Sequence, residues 1–250
     1  MSFKFDNINC ESLGMFVERY PSRPIPQRKQ SIYSIAGRSG DLIVDENAYT
    51  NVVQEYEVFV KDGATSLQSR LSAIAAWLVG KAGYLRLEDS YDTTIYRKAR
   101  VANAVEFLNS LNKFGKGTIQ FDCQPQRFPV TDEVYTKIFG DTLETITYAN
   151  SLELLPAYPL IEITGKQTSA SPRIVAGGLT VSIVTPQAMN KVVIDFETQS
   201  VYNAFNNTRP ALTSVFGTWD MLGNGDTITA VNESTNTSMT LTVYTRRYKI

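Results

Sequence analysis

VVQEYEVFV, residues 52–60, alternates with the two-residue period of a β-strand. Val52, Tyr56, Val58 and Val60 share one face with Gln54, while Glu55, Glu57 and Phe59 lie on the other. A strand with one apolar face needs a second layer to bury it. The next segment supplies one. Lys61-Asp62-Gly63 closes the strand, and Thr65 or Ser66 can cap a helix. Leu67, Leu71, Ile74, Ala75 and Leu78 then follow at i, i+4, i+7, i+8 and i+11, which predicts a helix over about 65–79 that Gly80 and Gly83 end. Its expected role is to cover a sheet. YLRLE (84–88), IYRKARVANAVEF (95–107) and GTIQFDC (117–123) read as further strands. Ile119, Phe121 and Cys123 share a face, so Cys123 is expected to be a buried small hydrophobe.

Upstream of the deciding strand lies YPSRPIPQRKQ (20–30), where Pro21, Pro24 and Pro26 fix an extended path and Arg23, Arg28 and Lys29 keep it solvated. SIYSIA (31–36) reads as a strand, GRSGD (37–41) as a turn, and LIV (42–44) as the start of the return. An arm or hairpin over about 21–50 is expected. Downstream, QPQRFPV (124–130) carries Pro125 and Pro129 and marks a domain boundary. Beyond it the chain is rich in Thr, Ser, Asn and Gly, with short strands at PLIEITG (159–165), LTVSIV (179–184), KVVIDFE (191–197), DTITAV (226–231) and MTLTVYTRRYKI (239–250). Gly177-Gly178 and Asn224-Gly225-Asp226 are turn signals between them, and the polar STNTS (234–238) reads as a loop. The expected fold is mainly β: an N-terminal β domain (1–128) with one helix and the extended arm, then a β-sandwich (129–250).

Composition limits the chemistry. The 250 residues carry a net charge of −1 and no histidine. A near-neutral chain lacks the basic excess of an electrostatic nucleic-acid binder. Without histidine there is no His-based triad and no common zinc hydrolase site. Cys10 and Cys123 have no CxxC or zinc spacing and read as free thiols in a reducing compartment. The start MSFKFDNINCES does not read as a signal peptide, and no stretch approaches the length of a membrane span. The sequons at Asn206, Asn232 and Asn236 are then expected to stay unmodified. GRSGD and GKG (115–117) lack the spacing of phosphate loops and read as turn glycines. Asp45/Glu46, Glu88/Asp89 and Asp132/Glu133 are adjacent carboxylates, which on a strand point to opposite faces and do not form a glycosidase pair. No catalytic, metal or cofactor site is expected. TVYTRRYKI (242–250) interleaves Tyr244 and Tyr248 with Arg246, Arg247 and Lys249; it reads as a charge-protected edge strand or a subunit contact, ahead of a nucleic-acid or glycan surface. Trp77 lies on the helix, and Trp219 is a core-packing residue or a sugar-stacking one.

In this order, the segments resemble the siphophage distal tail protein family. The likeness rests on PQRKQSIYSIAGRSGDLIVDENAYTNVVQEYEVFV (26–60), LRLEDSYDTTIYRKARV (85–101), GKGTIQFDCQPQRF (115–128), PLIEITG, VIDFETQSVYN (193–203), NGDTITAV (224–231) and LTVYTRRYKI (241–250). Residues 204–222 match the pattern only loosely. The resemblance implies a virion protein at the distal end of a long non-contractile tail, assembled in the host cytoplasm. It implies a homohexameric ring built by the N-terminal domain, alone or as back-to-back rings in isolation. The ring would join the tail-tube protein to a tail-associated tip protein and leave a channel for DNA, with no stable nucleic-acid binding and no membrane. It also implies a galectin-like sandwich on the outside that docks receptor-binding or baseplate proteins. The interface residues expected from the arm and turn are Arg23, Pro24, Ile25, Pro26, Arg28, Ile32, Tyr33, Gly37, Arg38, Gly40 and Asp41. The alternative is a carbohydrate-binding or receptor-binding module, with Tyr202 and Trp219 as stacking residues. Sugar sites of galectin shape generally use a His-Asn-Arg-Trp cluster, and this chain has no histidine. A cell-wall hydrolase is a third reading, for which nothing in the sequence selects a carboxylate pair.

Overall fold

The alternation at 52–60 is realised as the strand Val52–Lys61, whose inward residues Val52, Gln54, Tyr56, Val58 and Val60 are all buried. The computed structural model describes residues 1–61, 66–102, 106–110, 114–165, 171–183, 191–204, 213–233 and 238–250. These divide into two units, Met1–Val130 with Ile250, and Thr131–Lys249.

In chain order the first unit contains β1 (Phe3–Phe5), β2 (Ile8–Asn9), a short 3-10 turn (Cys10–Leu13), β3 (Met15–Val17), β4 (Arg28–Tyr33), β5 (Leu42–Tyr49), β6 (Val52–Lys61), α1 (Leu67–Val79), β7 (Leu85–Asp89), β8 (Asp92–Val101), β9 (Phe107–Ser110) and β10 (Phe114–Pro129). One sheet runs β2-β1-β7-β8-β10-β6-β3, with β9 on the free stretch of β10. The sheet curls: the Val17 N–H donates to the Met1 carbonyl at 3.1 Å, bringing β3 back to the start of the first strand. Inside the curl, Phe3 stacks on Tyr56 at 4.6 Å and Phe121 meets Phe5 at 5.0 Å. Full burial of Ile119, Phe121 and Cys123 matches their shared face in sequence.

The helix begins where Ser66 caps it, its hydroxyl accepting from the Ser69 N–H; Thr65 and Asp62-Gly63 lie outside the described residues. Leu67, Ile74 and Leu78 are buried as the spacing requires, but Ala75 is exposed. Trp77 takes its place, packing on Phe3 and Phe5 and donating its indole N–H to the Phe5 carbonyl at 3.0 Å. The stripe is therefore turned toward the larger apolar side chain.

One sequence expectation fails in β10. GKG is not a turn: Gly115 and Gly117 sit in mid-strand, opposite Val60 and Val58. A Cβ on Gly117 would lie 2.6 Å from the Glu106 carbonyl, so close approach of β9 demands the glycine. Pro125 lies inside β10, and the two units part just past its end, between Val130 and Thr131. The strand runs on to Pro129, and the register slips between Cys123 and Arg127, a bulge that removes the need for an N–H at the proline. IYRKARVANAVEF is likewise not one strand but β8 and β9, with residues 103–105 outside the described set.

The second unit contains β11 (Val134–Phe139), β12 (Glu144–Thr147), β13 (Leu160–Thr164), β14 (Pro172–Ala176), β15 (Leu179–Ile183), β16 (Lys191–Asp195), β17 (Ser200–Asn203), β18 (Thr213–Gly217), β19 (Thr227–Asn232) and β20 (Met239–Tyr244). Two five-stranded antiparallel sheets, β11-β20-β13-β16-β17 and β12-β19-β14-β15-β18, form a sandwich. Ile161, Ile163, Ile194, Leu241 and Val243 from one sheet share a core with Ile174, Leu179, Val181, Ile228 and Ala230 from the other. The C-terminal segment is not an edge: β20 pairs with β11 on one side and β13 on the other. Asn232 is buried and accepts from the Ser171 N–H at 3.0 Å, while Asn206 and Asn236 lie outside the described residues, as does most of STNTS.

Candidate functional site

The arm is a hairpin with a braced root. Chain direction fixes the root: after β3 the backbone continues along β6, and the Glu18 N–H donates to the Glu57 carbonyl at 2.8 Å. Further along, the buried Gln54 amide donates to the Ser22 carbonyl at 2.9 Å. Arg23 lies 3.8 Å from the Asp92 carboxylate and 5.4 Å from the ring centre of Tyr91, against which Tyr20 packs edge-on. Pro26 is buried, Pro24 half-buried, and Ile25 is 83% exposed. The stem closes where the Thr50 N–H donates to the Gln27 carbonyl at 2.9 Å.

Beneath the root sits a polar cluster inside the curl. The Tyr56 hydroxyl donates to Asp89, on the strand that pairs with β1. Burial pushes the Asp89 carboxyl above its ordinary range, against hydrogen bonds from Tyr56 and Tyr91 and the nearby Arg97, all of which favour the charged form. Burial first, and then the Asp89 charge, holds the Tyr56 phenol protonated. Burial also pushes the Cys123 thiol up to about 12. The Tyr56–Asp89 bond ties β6 to β7 beneath the arm. Among the described residues no cluster of three or more His, Cys, Asp or Glu is placed to hold a metal.

Above the root, β4 and β5 form a two-stranded sheet of their own. Arg28 pairs with Asp45 at 3.2 Å and lies near the Tyr49 ring, and the Ser31 hydroxyl donates to Glu46 at 2.9 Å. Ile32 stands opposite Ile43, and Tyr33 opposite Leu42. Neither face is covered: Ile32 is 63% exposed, Ile43 56% and Tyr33 55%. The strand ends at Tyr33, earlier than SIYSIA suggested, because the turn begins at Ile35, whose carbonyl accepts from the Arg38 N–H at 3.1 Å. Gly37 and Gly40 carry φ of 81° and 84°, which explains both glycines of GRSGD; Arg38 and Asp41 are exposed at this tip.

The other singled-out residues lie in the second unit. Trp219 meets Phe196 edge-on at 5.2 Å and joins the sandwich core. Tyr202 lies opposite Val193, on the face of its sheet away from that core, so the two are not brought together. Arg246 bonds to Asp195 at 2.9 Å, and Lys249 pairs with Glu153 at 2.5 Å. Arg247 is 1% exposed; it donates to Glu133, to the Ala149 carbonyl at 2.9 Å and to Asn224 at 2.8 Å, with its guanidinium near the Tyr148 ring. Partial burial works to raise the Glu133 carboxyl, but hydrogen bonds from Tyr135 and Arg247 outweigh it and hold it low. Sequence reading missed this network and the Asp89 cluster. The one available signal was Gln54, a polar residue on an otherwise apolar strand face.

No family model matches the chain, and no curated protein does. Among solved structures it is similar to the crystal structure of the SPP1 Dit (gp 19.1) protein, described as a paradigm of the hub adsorption apparatus in phages infecting Gram-positive bacteria. The TM-score is 0.68 at 15% identity, over 97% of this chain and 98% of that one. The likeness spans the chain and establishes a shared fold, at which level the expected resemblance to the distal tail protein family is met.

Proposed function

We propose that this chain is a structural subunit of a phage tail tip and not an enzyme. It assembles as a homohexameric ring that joins the tail tube to the adsorption apparatus and leaves a channel for DNA. The observation that carries the reading is the hairpin, which is exposed and apolar on both faces. An isolated two-stranded sheet is marginal in water, and exposed apolar surface of this kind marks an interface. The topology favours the same conclusion, because β4 and β5 pair only with each other and stand outside the strand order of the curled sheet. A ring needs a heterologous contact, one patch meeting a different patch on the next copy. A root braced by prolines and by Gln54, Arg23 and Tyr91 lowers the ordering cost of presenting the hairpin. A net charge of −1 suits a conduit that must not retain nucleic acid. The sandwich serves as the docking platform for receptor-binding or baseplate proteins.

The test is light scattering and negative-stain electron microscopy of the purified chain, alone and with its tail-tube protein. Six-membered rings are expected in at least one condition. Monomers in every condition, and no ring density attributable to the chain in assembled tails, would remove the proposal. Replacing both Ile32 and Ile43 by Asp should abolish the rings while leaving the unfolding transition unchanged.

A further inference from the structure

The hairpin has a counterpart at the opposite end of its own unit. On the outer face of the sheet, one cross-strand row joins four strands in register. Leu108 on β9 stands opposite Lys116 on β10, Lys116 opposite Phe59 on β6, and Phe59 opposite Phe16 on β3. At the usual strand spacing this row is about 14 Å wide. Phe59 and Phe16 stack at 5.5 Å, and the Lys116 stem continues the apolar floor while its ammonium reaches Glu18 at 2.5 Å. Leu108 is 77% exposed, and Phe114, two residues from Lys116 on the same face, is 39% exposed. The floor opens into a concavity rimmed by Glu18, Glu57 and Glu106.

Resting on the proposed ring, we infer that this row receives the hairpin of the adjacent copy, with Ile32 and Ile43 laid on Leu108 and the Phe16–Phe59 pair. Two observations select a second copy as the occupant. The first is polarity. The hairpin stem joins the unit at the Val52 end of β6, whereas the row crosses β6 at Phe59, seven residues and about 24 Å away. Donor and acceptor therefore sit at opposite ends of one strand, the head-to-tail arrangement that a closed ring repeats. The second is charge. Residues 21–50, the root and both hairpin strands, carry Arg23, Arg28, Lys29 and Arg38 against Asp41, Asp45 and Glu46, and since Arg23 and Arg28 face Asp92 and Asp45 of their own copy, Lys29 and Arg38 are the exposed cations offered to a neighbour. The rim of the row carries three glutamates, of which Glu18 and Glu57 are matched only by the exposed Lys116 and Arg19. Lys29 and Arg38 can share or replace those surface partners at little cost.

The experiment mixes two full-length variants, I32C and L108C, and adds a short bis-maleimide. The native thiols of Cys10 and Cys123 are buried and stay silent. A cross-linked I32C–L108C species in the ring fraction is expected, absent when either variant is treated alone. L108E should weaken self-association by about tenfold or more, with circular dichroism showing an unchanged fold. Rings that form without the I32C–L108C cross-link, and form equally well with L108E, overturn this assignment and leave the ring standing. Monomers throughout, with or without the tail-tube protein, overturn both.

Discussion

Replacing Arg247 by Ala should destabilise the second unit by about 3 kcal/mol. The side chain is almost completely buried and donates to three acceptors, the Glu133 carboxylate, the Ala149 carbonyl and Asn224. Breaking a buried charged pair costs about 3–5 kcal/mol when the surviving charge stays buried. Here the Glu133 side chain is 29% exposed, so water recovers part of its solvation and the lower end of the range applies. The Ala149 carbonyl and Asn224 each lose a charge-assisted bond, worth about 1.5–3 kcal/mol before water replaces it. Arg247→Lys keeps the charge but cannot span all three acceptors, so about half the loss should remain. Each unit holds one tryptophan, Trp77 and Trp219, so fluorescence in a Trp77→Phe background follows the second unit alone. A drop in melting temperature of roughly 10 °C is expected for a unit of this size. A shift corresponding to less than about 1 kcal/mol would mean that the network does not hold the sandwich together.

Acidification should move the two units in opposite directions. Asp89 has its folded pKa raised above the ordinary 3.8, so its contribution is fully favourable below that value and is lost as pH rises through the raised one; Asp89→Asn should flatten the Trp77-reported profile. Glu133 has its folded pKa lowered from 4.5, so its contribution is present above that value and is lost as pH falls through the lowered one, which Trp219 should report. Trp219→Ala should cost about 2 kcal/mol of second-unit stability through the lost Phe196 contact, read by circular dichroism, less than full truncation of a buried ring because Trp219 is only part-buried. Burial raises the Cys10 and Cys123 thiols to about 11 and about 12, so a disulfide reagent near neutral pH should titrate no thiol in the native chain and two after unfolding.

Much of the first unit was legible because its strands have one wet face and one dry one. In VVQEYEVFV the parity alone separates the buried Tyr56 from the outward Glu55. The arm was legible through proline and glycine, whose backbone limits are local. What escaped has tertiary causes. Gly117 looks like a turn residue until the Glu106 carbonyl is seen against it. Glu88 and Asp89 were rightly assigned to opposite faces, but only pairing with β1 shows that the Asp89 face is closed by Phe3. Arg246 and Arg247 read as surface charge because nothing nearby in sequence marks a reversal. The backbone at Arg246 is left-handed, at φ 53°, and this throws the next side chain inward. The short strands β11, β12, β14 and β18 were missed for a different reason: at four to six residues each, they are too short for a two-residue period to stand out.

The place of β20 between β11 and β13 bears on how the gene tolerates damage. A nonsense codon between Thr164 and Met239 yields a polypeptide that keeps both flanking strands and lacks the one that hydrogen-bonds to each. That sheet would then lose its second strand rather than an edge strand, exposing two templating strands at once. Late truncations should be cleared by host proteases as readily as early ones, so a functional allele needs an open reading frame through this strand.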